Sequence, residues 1–288
     1  MLVCRRAFAV RLAGRAALMA CIPVLALTAT AAGLPVDSVV PMTLAQAAKD
    51  IEQTRGCRLT VSIRPLDNCL FGDVSGNHSM VLIGDSNASH WLPALDRAAK
   101  RHGWRLYFFA NAACPIAQVP VYQIRFKRIY VECDIWRDSL VEKLSEIGPI
   151  DVLVIGRTWQ YQDLIRDSQG RTMSPVKLEA AWRSGMTGFL ARLSVPRPRV
   201  AVIRSQPNPG LDYTVCLGKN LATPSICDQA RVQVAHPDGL LARAESRIPN
   251  LTLVDPTDAF YSAHLLTSVA KRNDQVPEPN SHDSDLFE

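Results

Sequence analysis

The sequence predicts an α/β fold, a three-layer α/β/α arrangement around a five-stranded, mostly parallel sheet. Short apolar runs such as 80–84 (MVLIG), 151–155 (DVLVI) and 199–203 (RVAVI) read as strands buried on both faces. Segments with helical spacing separate them, as crossover connections require. With 48% apolar and 20% charged residues, the composition excludes wholesale disorder, collagen and a multi-span membrane protein.

In chain order, a short helix is expected at 44–53 within an exposed lead-in, 32–56. The first strand is 80–84. A helix at 89–102 is spaced through Trp91, Leu92, Leu95 and Ala98, and 104–109 is the second strand. A helix at 135–147 sets Leu140, Leu144 and Ile147 on one face. Strand 151–155, a long helix at 176–193, and strands 199–203 and 251–254 follow. A last helix is expected at 263–271. This makes one domain, 57–272, and a polar, disordered tail, 273–288. No internal repeat is visible.

The formal charge of +5 comes from 32 Lys and Arg against 27 Asp and Glu. Arg5, Arg6, Arg11 and Arg15 lie in residues 1–31, which carry no acid; beyond them the balance is 28 to 27. The basicity thus belongs mostly to a leader, and a nucleic-acid partner is not expected. Residues 16–32 (AALMACIPVLALTATAA) follow the arginines as an apolar, small-residue stretch. This is the pattern of a secretory signal peptide, 1–31, with Ala29 and Ala31 at the cleavage position. An uncleaved membrane anchor is the competing reading, although the run is short for a hydrocarbon core of about 30 Å. A twin-arginine pattern at Arg5-Arg6 and a lipobox ending at Cys21 are weaker readings. The chain is therefore expected to be exported, periplasmic or extracytoplasmic.

Cys4 and Cys21 leave with the leader. The six cysteines that remain fall as near neighbours: Cys57 and Cys69, Cys114 and Cys133, Cys216 and Cys227. An even number in an exported chain reads as disulfides, and the local pairing is the expected one. Metal binding competes, but no CxxC or clustered Cys/His spacing is present. No metal and no cofactor are expected.

In a parallel sheet the reactive loops lie at the carboxyl ends of the strands. The first of these loops reads Gly84-Asp85-Ser86-Asn87. A serine here meets the start of the next helix, where backbone N–H groups are unpaired and the dipole end is positive. Such groups can hold the oxyanion of an acyl-transfer intermediate. The plainer reading is that Asp85 or Ser86 caps the helix. Trp91, Trp136, Trp159 and Trp182 read as packing residues, and Trp159, in a strand-end loop, is also a candidate to line the site.

Residues 80–115 (MVLIGDSNASHWLPALDRAAKRHGWRLYFFANAACP) resemble block I and its sequel in the SGNH hydrolase superfamily. More narrowly, they resemble the extracytoplasmic SGNH domain attached to acyltransferase-3-type membrane proteins, which O-acylate surface polysaccharides. The turn Gly84–Asn87, the stretch Trp91–Leu95 and the pair Cys114-Pro115 carry the likeness. Thr43–Asp50, the paired cysteines, DVLVIGRTW and VDPTDAF extend it over about residues 43 to 268. The resemblance implies an SGNH-like, flavodoxin-like topology with Ser86 as nucleophile and its backbone N–H as oxyanion donor. Acylated carbohydrate or an acyl donor is the implied substrate, and a membrane acyltransferase the implied partner.

The chain departs from the family pattern. No GxND stands in the third block, and Asn87 replaces the histidine of the narrower group. Asn111 and Arg157 are the candidates for further oxyanion donors, with structural roles competing for both. The family's D-x-x-H reads here as Tyr261-Ser262-Ala263-His264. His264 fits the base, but Tyr261 stands where the aspartate belongs. Asp258, with Asp255 as the alternative, is the candidate to orient the imidazole. His90 is a substitute base by nearness to Ser86 in sequence.

The exported protein is expected to begin at residue 32. N-terminal sequencing checks this, and an intact Met1 would support the anchor.

Overall fold

The computed structural model describes residues 57, 61, 66, 69–193, 198–205, 215, 216, 219, 220, 223–227, 229, 230 and 238–257, and the backbone of 261, 262, 265 and 266. For residues 224, 225, 229 and 230 only the backbone is described. The leader, the helix expected at 44–53 and the tail lie outside these residues.

The central sheet has six strands. They are β1 (Leu70–Gly72), β2 (His78–Gly84), β3 (Trp104–Ala110), β6 (Val152–Gly156), β7 (Arg199–Ile203) and β9 (Leu251–Val254), in the order β1-β3-β2-β6-β7-β9. Five run parallel. Taken in chain order these five stand second, first, third, fourth, fifth, the flavodoxin order, whose switch point lies between the first and third strands. Here that is the gap between the carboxyl ends of β2 and β6.

The sixth strand corrects the expected count of five. β1 pairs antiparallel with β3 at the sheet edge. Three residues are too few to show a period-two pattern, so β1 depends on its partners. Phe108 donates its N–H to Cys69 O at 2.9 Å, and Gly72 donates to Asp96 Oδ1 at 2.8 Å. The disulfide Cys57–Cys69 closes the segment.

β2 shows why the apolar runs read as strands buried twice over. Met80 and Leu82 face α1 (Ser86–His102), with Ala88, Leu92 and Ala99. Val81 and Ile83 face the opposite layer. That layer contains α2 (Val131–Ile147) and α4 (Pro175–Ala191), through Trp136, Leu140, Leu144, Trp182 and Phe189. α1 and α2 begin three and four residues before the predicted points, α1 because Asp85 caps it. α3 (Tyr161–Leu164) and α5 (Gly239–Glu245) carry no clear period and were not predicted.

The expected last helix is also corrected. Leu265–Leu266 form β11, which pairs antiparallel with β10 (Tyr261–Ser262) and β8 (Gln229–Ala230). Partners thirty-odd residues away in sequence decide that conformation, and a local pattern cannot show them.

All three disulfides join the expected neighbours, with Cα–Cα distances of 5.9 Å for Cys57–Cys69, 5.4 Å for Cys114–Cys133 and 5.9 Å for Cys216–Cys227. Cys114–Cys133 ties the segment after β3 to α2. That segment is unusually buried, through Cys114, Ile116, Ala117 and Val119, so its carbonyls need internal donors. Buried Arg137 supplies them, donating to Pro115 O at 3.0 Å, Ala117 O at 2.7 Å and Val119 O at 3.4 Å. Asp134 pairs with the same guanidinium. Gly185 of α4 gives the segment room, since a Cβ there would lie 2.8 Å from Gln118 N.

Replacing both Cys114 and Cys133 by Ala should lower the unfolding free energy by about 3 kcal/mol. Arg137→Met should cost about as much, because it leaves several buried carbonyls without a donor. Denaturant melts of each variant measure both.

Candidate active site

The site begins with two glycines at the switch point. Gly84, at φ +148°, would place a Cβ 1.9 Å from Gly156 O. A Cβ on Gly156 would lie 2.6 Å from Ala88 Cα. With neither present, the first turn of α1 packs directly on the ends of β2 and β6.

Asp85 then fixes the turn. It is fully buried, and its Oδ1 accepts from Asn87 N at 2.7 Å, capping α1. Its Oδ2 accepts from Thr158 N at 2.9 Å, so one carboxylate joins the loop after β2 to the loop after β6. Burial pushes the Asp85 carboxyl above the ordinary carboxylate range, against the hydrogen bonds that favour its charge. Beside it, burial raises the phenol of Tyr161 well above its ordinary value, and the charge of Asp85 adds to this.

Ser86 is the first residue of α1 and is partly exposed. Its carbonyl accepts from Ser89 Oγ at 2.6 Å. Among the described residues no hydrogen bond occupies its hydroxyl or its backbone N–H. A hydroxyl and a free amide therefore stand together at the positive end of a 17-residue helix.

Asn111 lies one strand away. Its N–H donates to Gly84 O at 3.0 Å, and its side chain is only 1% exposed. Among the described residues neither the amide nitrogen nor the amide oxygen of that side chain has a partner within hydrogen-bond geometry, although the Tyr130 phenol is near enough to act on it. Tyr130, whose phenol burial pushes up to about 12, donates to the neighbouring Ala112 O at 3.3 Å.

Arg157, the other expected donor, is committed elsewhere. Its Nε and Nη2 donate to Glu245 at 2.6 and 2.5 Å, and its Nη1 lies 3.2 Å from Asp238 Oδ2. All three side chains are buried, so this guanidinium serves the fold. Trp182 Nε1 also donates to Glu245 Oε1, at 2.9 Å. Arg204 continues the network, bonding Asp238 Oδ1 at 2.9 Å and Asp255 Oδ2 at 2.7 Å. Burial opposes the charge of Asp238, but the bond from Arg204 and the charge of Arg157 hold its carboxyl below the ordinary range. The network escaped the sequence reading because Arg157 and Glu245 stand 88 positions apart.

Asp255, the alternative carboxylate for the base, lies in this network, and its Oδ1 accepts from Thr257 N at 3.0 Å. Asp258 and His264 lie outside the described residues. His90 is exposed on α1. Trp136 and Trp182 are buried packing residues, and Trp159 is partly exposed in the loop after β6.

The family model for the SGNH domain that occurs fused to AT3 domains matches residues 56–274. Among solved structures, the lipopolysaccharide acetyltransferase periplasmic domain of Salmonella ser. Paratyphi A aligns with a TM-score of 0.50. The alignment covers 82% of this chain and 92% of that one at 12% identity, a likeness of fold. No curated protein matches.

Asp85→Ala should lower stability by about 2 kcal/mol, through the lost cap and the unpaired Thr158 N–H. Because the folded state raises this carboxyl, its ionisation opposes folding. The wild-type advantage should therefore be largest near the ordinary carboxylate pKa and shrink as pH rises through the raised value. Denaturant melts of both proteins at about pH 4 and about pH 8 test the sign.

Proposed function

Because the chain belongs to the family of SGNH domains fused to AT3 domains, we propose that it is an exported serine esterase or O-acyltransferase acting on acyl groups, acetyl foremost, of cell-surface carbohydrate. The substrate class comes from the family and from the Salmonella neighbour, a lipopolysaccharide acetyltransferase domain. The observation that carries the chemistry is the partly exposed Ser86 hydroxyl at the start of α1 beside its own N–H, which no described residue pairs.

In this reading Ser86 Oγ attacks the acyl carbon while the His264 imidazole takes its proton. The tetrahedral oxyanion is held by the Ser86 N–H and by the Asn111 side-chain amide, a buried group with no well-formed hydrogen bond among the described residues. The intermediate expels the leaving oxygen, which receives the proton from His264, and an acyl-serine remains. Water then completes hydrolysis, or a sugar hydroxyl completes transfer, with His264 as base once more. Asp258, or Asp255, orients the imidazole. A membrane acyltransferase is the partner that supplies the acyl donor. Arg157 has no part in this scheme.

A second reading rests on Tyr261, which stands where the family has its aspartate. Without a carboxylate behind His264 the domain would retain the cleft for binding polysaccharide or a membrane acyltransferase, with little turnover.

Hydrolysis of p-nitrophenyl acetate separates the two. Ser86→Ala should lower kcat/KM by on the order of 10²-fold or more, and His264→Ala by a similar factor. Asn111→Ala should lower kcat by about 10²-fold. Wild type no faster than Ser86→Ala would leave the binding reading.

A further inference from the structure

The acyl chemistry leaves unused a short hairpin, β4 (Tyr122–Gln123) and β5 (Arg128–Ile129). Its base is pinned to the segment that follows α3. Val121 bridges Ile165, just beyond α3, and Arg166 N donates to Pro120 O at 3.0 Å. The hairpin is thereby tied to the stretch of chain that follows β6 and α3.

Its tip is amphipathic. Ile124 is 67% exposed. Arg125 and Lys127 follow it on either side of Phe126, both exposed, and among the described residues neither side chain has an acidic partner. Phe126, between them, turns inward, edge-on to Tyr130 at 6.0 Å, and carries the Arg128 guanidinium 5.1 Å from its ring centre. The aromatic ring thus stiffens the tip while the aliphatic and cationic side chains point away from the domain. Arg128 is the one tip cation held by an acid, Glu132. Lys127 adopts φ +53°, a left-handed conformation that glycine or asparagine fills at lower cost. Val131 and Ile135, one turn apart at the start of α2, are 50% and 43% exposed and extend the apolar surface behind the hairpin.

We propose that this hairpin seats the domain on an anionic lipid bilayer, with Ile124 entering the headgroup layer and Arg125 and Lys127 meeting lipid phosphates. An apolar residue set among unpaired cations fits such a surface better than a soluble polyanion, because a dissolved acidic glycan gains nothing from exposed isoleucine. The inference does not depend on the role of Ser86.

Co-sedimentation of the exported chain with phosphatidylcholine vesicles, with and without phosphatidylglycerol, tests it. Binding should rise with the anionic lipid and fall with added salt. Arg125→Gln and Lys127→Gln should each weaken partition by about fivefold. Ile124→Trp should add fluorescence that anionic vesicles shift to the blue and brominated acyl chains quench. All three side chains are exposed, so unchanged melting temperatures are expected. Equal binding by wild type and the Arg125→Gln, Lys127→Gln double variant would overturn the proposal, as would an unquenched tryptophan at 124. Loss in the double variant of binding to a soluble acidic polysaccharide, with vesicle binding intact, would overturn it too. Ser86→Ala should bind vesicles like wild type, so failure here and failure of the esterase reading are distinguishable.

Discussion

The close approach of α1 to the ends of β2 and β6 is the constraint on which the rest of the site depends. Gly84 and Gly156 pair across the two strands, and neither can carry a Cβ without striking backbone. Only then can the helix start at the sheet edge, with its first turn over the switch point. Asp85 locks that geometry because a single buried carboxylate satisfies one N–H from the helix and one from the neighbouring loop. Ser86 is the next residue, so its position follows from the cap.

Around this centre the fold solves a polar problem twice. The segment after β3 is buried and needs donors, which Arg137 provides from α2. The ends of β6, β7 and β9 meet α5 through Arg157, Glu245, Asp238, Arg204 and Asp255. Buried ion pairs of this kind add little net stability over a well-packed apolar core, yet breaking one partner costs several kcal/mol. Here they join the ends of three strands to one helix.

Much of the scaffold was legible because its signals are local. Apolar runs marked all five parallel strands, and helical spacing marked α1, α2 and α4. β1 and α5 were missed because segments of three and seven residues hold too little pattern. Leu265–Leu266 misled for a related reason, since an apolar pair suits either element and remote strands chose. Within the site, Ser86 and the cap at Asp85 could be read from a strand, a turn and a helix in succession. The second hydrogen bond of Asp85, to a residue 73 positions away, could not.

By itself, then, the sequence determined the layered α/β class, the local cysteine pairing and the position of a serine at a helix start. Each of these depends on neighbours within about twenty residues. The tertiary structure alone decided that Arg157 pairs with Glu245 and not with a reacting oxygen. It alone buried the Asn111 amide next to Gly84 with no well-formed hydrogen bond among the described residues. Those outcomes depend on which groups meet after the chain closes on itself, and desolvation makes each buried polar group find a partner or remain conspicuously without one.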